Sequence, residues 1–158
     1  LRAELQHLID QDLRVKGEFQ LTDALQNLKA KGATFKPGVV QEWLDCGNKD
    51  ATVHTNQRYL EYIKDQELLA STAVVENSVI IPPVYIGEQA QIRNSVIGPH
   101  VSVGADTVIS DSRISNSIVQ KASNLQHVQL SNSMVGNHVQ YQGTPDTLSI
   151  GDYTTYNS

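Results

Sequence analysis

Aliphatic side chains recur at steps of five or six residues along the C-terminal two thirds of the chain. An α-helix would require steps of three or four, and an ordinary strand steps of two. Three steps make one coil, and the coils begin with a spacing of 17, 17, 16 and 16 residues, at Val75, Ile92, Ile109, Leu125 and Tyr141. This near-constant spacing predicts a parallel β-helix of three-sided coils over residues 75–141.

The same register places like residues above like, one coil apart. The predicted stacks are Asn77 on Asn94, Ser78 on Ser95 and Ser112, Pro82 on Pro99, Gly87 on Gly104, Asn116 on Asn132, and Ser117 on Ser133. An antiparallel sandwich accounts for neither these stacks nor the coil length. Arg113 and Gln129 stand where a buried residue is expected, and the shorter five-residue steps predict that they face outward. Glycines and asparagines are predicted at corners with left-handed backbone.

Pairs of an aliphatic residue and a glycine resemble the hexapeptide repeat of left-handed β-helices. They are Ile86-Gly87, Ile97-Gly98, Val103-Gly104 and Val135-Gly136. The predicted handedness comes from this resemblance and not from the spacing. Residues 144–158 are predicted to supply a further partial coil or a cap for the open coil end.

The N-terminal third has a different pattern. Helices are predicted at the very start, after Thr22 as an N-cap, and after Asn48 as an N-cap, with short strands at residues 33–40 and 42–45. Three residues of the last helix are predicted to face inward: Val53, Leu60 and Ile63. So few elements enclose little core, which indicates the tail of a larger domain. Leu1 is not an initiator methionine, so we expect a piece of a longer protein.

Composition excludes several classes of function. The formal charge is −5, and the lysines and arginines are scattered, which argues against a nucleic-acid or anionic membrane surface. No apolar run approaches the roughly 20 residues that span a bilayer. The one cysteine, Cys46, excludes an internal disulfide, and a reducing, cytoplasmic location is therefore expected.

Two short motifs carry candidate chemistry. Glu18 lies in Lys-Gly-Glu-Phe-Gln-Leu-Thr-Asp, just ahead of a predicted helix, where backbone N–H groups hold a carboxylate or a ligand. Asp45 lies in Trp-Leu-Asp-Cys-Gly, at a predicted strand end followed by a capped helix. Such an arrangement is common for Mg²⁺ in phosphoryl-transfer sites. Each signal is weak when taken alone, since a loop acid and a turn residue give the same pattern.

Together with the coils, these motifs resemble the sugar-1-phosphate nucleotidyltransferases, in particular glucose-1-phosphate thymidylyltransferase-like proteins with a C-terminal β-helix. Cys46 replaces a common valine, and Asn48-Lys49 replaces a common Thr-Pro; neither change removes an expected ligand. The resemblance implies a mixed fold. Residues 1–70 would be the C-terminal remnant of the catalytic domain, a small α/β tail, and residues 71–158 a left-handed parallel β-helix of hexapeptide repeats.

The resemblance also implies roles for individual residues. Glu18 would bind sugar hydroxyls and Asp45 would be one of two acidic Mg²⁺ ligands, with Gly17, Trp43 and Gly47 in support. The reaction joins a nucleoside triphosphate and a sugar-1-phosphate into a nucleotide sugar and releases pyrophosphate. The family's Gly-rich nucleotide loop and second metal-binding Asp have no counterpart here, so no catalytic set is complete. We expect an active full-length parent and an inactive fragment that retains no Mg²⁺.

Two other interpretations stay open. The β-helix can serve as an oligomerisation or regulatory module without catalysis, and a homo-oligomer would then form through its faces or its open end. A hexapeptide acyltransferase would use a histidine base, for which His100, His127 and His138 are the candidates in the coils. A zinc site built from histidines of adjacent subunits is not indicated by their spacing.

Overall fold

The structure, a computed structural model, describes residues 1–143 and 149–157. Its contacts divide the chain into two compact units, Leu1–Trp43 and Leu44–Ser158. The predicted boundary between residues 70 and 71 concerns which parent domain each part comes from, and it stays a prediction.

The first unit is a pair of packed helices, α1 (Arg2–Asp10) and α2 (Leu21–Ala30). Leu8 and Ala24 form its small buried centre. The prediction that Thr22 is the N-cap of α2 was wrong, because the N-cap is Gln20, two residues earlier, and it makes no side-chain cap bond. Helix α2 ends at Ala30, two residues before Gly32, which has a φ of +89°.

The predicted strands at residues 33–40 and 42–45 are absent, and the α/β character of the tail was therefore wrong. A strand needs a neighbour to satisfy its N–H and C=O groups, and the described residues supply none there. The apolar side chains that suggested strands are exposed; these are Phe35, Val39, Val40 and Trp43. In this part of the chain, pairing is limited to an isolated bridge between Val15 and Glu18.

The second unit begins with the helix α3 (Lys49–Ile63) and continues as short strands. The first seven are β1 (Val74–Glu76), β2 (Val79–Ile80), β3 (Val84–Ile86), β4 (Gln91–Arg93), β5 (Val96–Ile97), β6 (Val101–Val103) and β7 (Val108–Ser110). The others are β8 (Arg113–Ser115), β9 (Ser117–Val119), β10 (Asn124–Gln126), β11 (Gln129–Ser131), β12 (Met134–Val135), β13 (Gln140–Gln142), β14 (Ser149–Ile150) and β15 (Thr155–Asn157).

These strands form three parallel sheets, one for each side of a β-helix. The orders are β1-β4-β7-β10-β13-β15 in the first sheet, β2-β5-β8-β11 in the second, and β3-β6-β9-β12-β14 in the third. The predicted register is confirmed at every coil start, because Val75, Ile92, Ile109, Leu125 and Tyr141 pair in succession. The parallel β-helix follows from repeated five- and six-residue steps that return one apolar side chain to the interior.

The core of the coils is a column of aliphatic side chains. Ile92, Ile97, Ile109, Ile114 and Leu125 are fully buried. Arg113 and Gln129 are exposed, which confirms that the shorter steps turn this position outward. Buried serines add a second column, in which a side-chain oxygen accepts a backbone N–H from the next coil. The backbone nitrogen of Ser112, for example, lies 3.0 Å from Oγ of the buried Ser95.

The left-handed backbone at the corners of the coils accounts for the asparagines there, but not for most of the glycines. Left-handed φ values occur at corner residues, among them Asn77, Asn94, Asp111, His127, His100, Asn116, Asn132, Asp106 and His138. Asparagine and aspartate tolerate this conformation better than other non-glycine residues. Gly87, Gly104 and Gly136 are not among the positive-φ residues. These positions require glycine because the backbone of the neighbouring coil approaches so closely that it leaves no room for a Cβ atom.

The predicted partial coil after Tyr141 is confirmed for residues 149–157, where β14 and β15 extend the third and first sheets. Residues 144–148 and 158 lie outside the described part of the chain. Within that described part, no helix combines the length and apolar character needed to cross a bilayer.

Candidate functional site

The loop that carries Asp45 is held by α3. Asn48 caps the helix as predicted, since its side-chain oxygen accepts the N–H of Ala51 at 2.9 Å. The Thr55 hydroxyl donates to the backbone oxygen of Asp45 at 2.6 Å, and the Thr52 hydroxyl donates to that of Cys46 at 3.2 Å. The backbone around Asp45 is therefore fixed, while the carboxylate itself is exposed.

Gly47 lies close to the Asp45 carboxylate. A Cβ atom at residue 47 would stand 3.1 Å from Asp45 Oδ2, closer than an ordinary van der Waals contact. The group that approaches this glycine most closely is thus the aspartate of the same motif. A side chain at residue 47 would push the carboxylate aside.

Helix α3 is fastened along the third sheet, where it contacts β6 and β9. Val53 and Leu60 are fully buried, as predicted, and Ile63 is half-buried. Polar contacts occur near both ends and in the middle of the helix. They are Lys49 Nζ to the Asn132 backbone oxygen at 3.0 Å, Asn132 Nδ2 to Asp50 at 3.1 Å, Ser102 Oγ to Asn56 at 2.6 Å, and His100 Nε2 with Glu61 at 2.7 Å. Because α3 also holds the Asp45 loop, the coils fix that loop indirectly.

Two of these contacts change the ionisation of carboxylates. The hydrogen bond from His100, followed by the one from Lys64, lowers the pKa of the Glu61 carboxyl from its ordinary value. Hydrogen bonds from Lys49 and Asn132 lower the pKa of the Asp50 carboxyl from its ordinary value. Both shifts favour the ionised carboxylates in the folded protein.

Acid is therefore expected to weaken the attachment of α3. A carboxyl group with a lowered folded-state pKa stabilises the fold above its unfolded pKa, and this contribution is lost as the pH falls through the folded value. Urea unfolding followed between about pH 6 and pH 3 should show stability falling with acid. Both Glu61→Gln and His100→Gln should flatten this dependence, and Glu61→Gln should do so more, since His100→Gln leaves the carboxylate and its bond from Lys64 in place. A pH dependence that neither substitution alters would contradict the assignment.

Glu18 lies at the end of a tight turn that closes Val15 onto it, with backbone hydrogen bonds of 2.9 and 3.1 Å. Lys16 and Gly17 have φ values of 53° and 85°, and positive φ at both central positions is the pattern of a type I′ turn. Gly17 therefore supports Glu18 through backbone geometry. The Glu18 carboxylate accepts a hydrogen bond from Gln20 Nε2 at 3.3 Å, so it is bound by a side-chain amide rather than by a backbone N–H of α2.

The predicted site residues are divided between the two compact units. Gly17, Glu18 and Trp43 belong to the first, and Asp45 and Gly47 to the second. Trp43 is 80% exposed. No group of three His, Cys, Asp or Glu side chains suited to a metal ion occurs among residues 1–143 and 149–157. Asp45 alone does not fit a Mg²⁺ site, which needs several oxygen ligands.

The coil histidines have separate surroundings. His100 is paired with Glu61 on α3. His127 lines a shallow cavity of about 350 Å³ together with Asp111 and Arg113. His138 stacks on Tyr153, with ring centroids 4.6 Å apart. Sequence reasoning missed the His100–Glu61 contact, because it joins residues 39 positions apart on elements with different periodicities.

The family described as "GlmU-like, C-terminal hexapeptide" matches residues 62–113. This match and the register of the sheets support a left-handed β-helix of hexapeptide repeats. It includes the end of α3 and the first coils, but neither Glu18 nor Asp45. Among curated proteins, no match was found.

Proposed function

We propose that this chain is the C-terminal part of a sugar-1-phosphate nucleotidyltransferase, with the nucleotide-binding loop in a preceding part of the same protein. The observation that supports it most strongly is the link between motif and scaffold. Trp43-Leu44-Asp45-Cys46-Gly47 runs directly into the capped helix α3, and α3 is bonded to hexapeptide coils. The match of residues 62–113 to a hexapeptide family is consistent with this origin. In this proposal the parent works in the cytoplasm.

The proposed role of Glu18 is to bind the sugar. Its exposed carboxylate accepts one bond from Gln20 and has further acceptor positions for sugar hydroxyl groups. The rigid turn at Gly17 would fix the direction of the carboxylate, so that binding energy is used for orientation of the sugar phosphate. The reacting partners would be a sugar-1-phosphate and a nucleoside triphosphate, with pyrophosphate as the second product.

The proposed role of Asp45 is to contribute a carboxylate oxygen to Mg²⁺ in the complete enzyme. The described residues do not complete such a site, and the remaining ligands would come from the preceding part of the parent. What this chain itself provides is position: Thr55, Thr52 and the Asn48 cap hold the backbone of the Asp45 loop.

The decisive experiment compares the chain with its full-length parent in a nucleotidyl-transfer assay. With glucose-1-phosphate, Mg²⁺ and each of several triphosphates, the parent should release pyrophosphate and the 158-residue chain should not. In the parent, Asp45→Asn should lower kcat by about a hundredfold or more, whereas Asp65→Asn, an exposed control, should not. Glu18→Gln should mainly raise the KM for the sugar phosphate. Full activity of the Asp45→Asn parent, or turnover by the short chain, would contradict the proposal.

A second candidate is an assembly or regulatory module built on the β-helix. The observation that favours it is the outward face of the first sheet, where Asn124, Gln126 and Gln140 are exposed and uncharged. Light scattering on the purified chain separates the two, since a stable oligomer that persists without triphosphate or sugar phosphate favours assembly. The acyltransferase interpretation is weakened for His100, which is already hydrogen-bonded to Glu61.

A further inference from the structure

The first coil differs from the coils between residues 86 and 143 in its exposed apolar surface. Large hydrophobic side chains are exposed at six positions there: Leu69, Val74, Val75, Val79, Ile81 and Tyr85. Between residues 86 and 143 none is exposed. A cluster of this kind on one end of the tube indicates a contact surface rather than scattered surface residues.

The backbone at this end has free hydrogen-bonding groups. In a parallel ladder, the N–H and C=O of alternate residues point to opposite neighbours. Val74 donates to Ala90 and Glu76 accepts from Asn94, both in the direction of the second coil, so the N–H and C=O of Val75 point away from it. The backbone N–H and C=O of Ile80 and of Leu69 also point away from the following strands. The residues on either side of each make the hydrogen bonds to those strands instead. Among the described residues of the unit that starts at Leu44, these groups make no backbone hydrogen bond.

Three strand segments therefore end the tube with both unpaired backbone groups and apolar side chains. Val75 pairs with Ile92 and Leu69 with Ile86, and both of those partners are fully buried. In any later coil, the strand of the preceding coil covers the corresponding residues. Cavities of about 350 and 210 Å³ flank Leu68 and Leu69 at this end. The end is shaped to accept one more extended segment.

The charge around this end is acidic. From Lys64 to Ala90 the chain has four carboxylates and one cation. Glu76 is paired with Arg93 at 3.0 Å, and Lys64 is paired with Glu61 at 3.3 Å. Two exposed carboxylates, Glu67 and Glu88, line the larger cavity. The end of a second copy would bring like charges together, whereas a basic segment would be attracted.

We propose that the open end of the first coil binds an extended segment of a partner protein in which apolar residues alternate with lysine or arginine. The segment adds as a strand to the free edge at Val75 or Leu69, its apolar side chains cover the exposed residues of the first coil, and its cations meet Glu67 and Glu88. This surface is independent of the nucleotidyltransferase proposal, because it involves neither Glu18 nor Asp45.

The test uses a fluorescent peptide with the repeated pattern Lys-Val-Lys-Ile, and a matched peptide with Glu in place of Lys. Fluorescence anisotropy should show saturable binding of the basic peptide and at least about tenfold weaker binding of the acidic one. N-methylation of alternate peptide bonds should also weaken binding at least about tenfold, because it removes the donors that pair with the strand edge. Equal binding of the acidic or the N-methylated peptide would overturn the proposal.

Two charge-matched double variants locate the surface. Glu67→Gln with Glu88→Gln and Gln129→Lys with Ser131→Lys each change the net charge from −5 to −3. Only the first pair should weaken binding, by about tenfold, since residues 129 and 131 are exposed on a later coil. An equal effect of both pairs would show nonspecific attraction and overturn the proposal. No binding at about 1 mM peptide, or a dimer abolished by Val79→Ser, would do so as well, the latter assigning the end to a second copy.

Discussion

Ile109→Ala is expected to lower the free energy of unfolding by about 2–5 kcal/mol. Ile109 is fully buried between Ile92 and Leu125, its partners on the coils before and after. Alanine would leave a cavity in the middle of the column, and the strands on either side are tied to fixed register by their ladders. The cost therefore includes both the lost apolar contact and a space that cannot collapse.

The neighbouring residue provides the control. Val108 lies on the same strand but its side chain faces outward and is half-buried. Val108→Ala should cost about 1 kcal/mol or less. Urea unfolding followed by circular dichroism measures both variants. Equal destabilisation by the two substitutions would contradict the inward and outward assignment, and with it the coil register.

Gly104→Ala is expected to destabilise the coils by about 3 kcal/mol. A Cβ atom at residue 104 would stand 2.5 Å from the backbone nitrogen of Lys121 and 2.8 Å from the carbonyl carbon of Gln120. These are backbone atoms of the next coil, which cannot move away as a side chain end can. The adjacent ladder bond, from the Gly104 nitrogen to Val119, would be strained as the coils separate.

Gly151 is the matched glycine for this experiment. It occupies the last described coil, and a Cβ atom there would have no neighbour within 4 Å. Gly151→Ala should leave the thermal and urea unfolding midpoints of the protein nearly unchanged. If Gly104→Ala were equally harmless, the close approach of the coils at Gly104 would be wrong.

The β-helix could be predicted from sequence because its signal is repeated. Every coil has the same register, so the predicted pairing of Val75 with Ile92 is supported by three later pairs of the same kind. The positions at which serines stack could also be predicted. The hydrogen bonds that these serines make could not, because the residue type alone does not show that Ser112 Oγ accepts the N–H of Val128 at 3.1 Å.

The N-terminal third was predictable only where the signal is local. The Asn48 cap and the inward face of α3 depend on residues within one helix, and both are confirmed. The strands at residues 33–40 and 42–45 depend on a pairing partner that no local pattern can provide, and they are absent. The left-handed backbone predicted for the corner glycines fails for a related reason. The atoms that leave no room for a side chain at Gly104 belong to residues 16 and 17 positions later in the chain.

The attachment of α3 limits how the length of the tube can vary. The helix is bonded at His100 and at Asn132, which lie in one corner column with Asn116 between them. Loss of a full circuit between those corners would move Asn132 about 4.8 Å towards His100 and detach one end of the helix. Whole circuits can therefore be added or removed without changing this spacing only outside the stretch between His100 and Asn132. A partial circuit anywhere would turn every later aliphatic residue out of the interior.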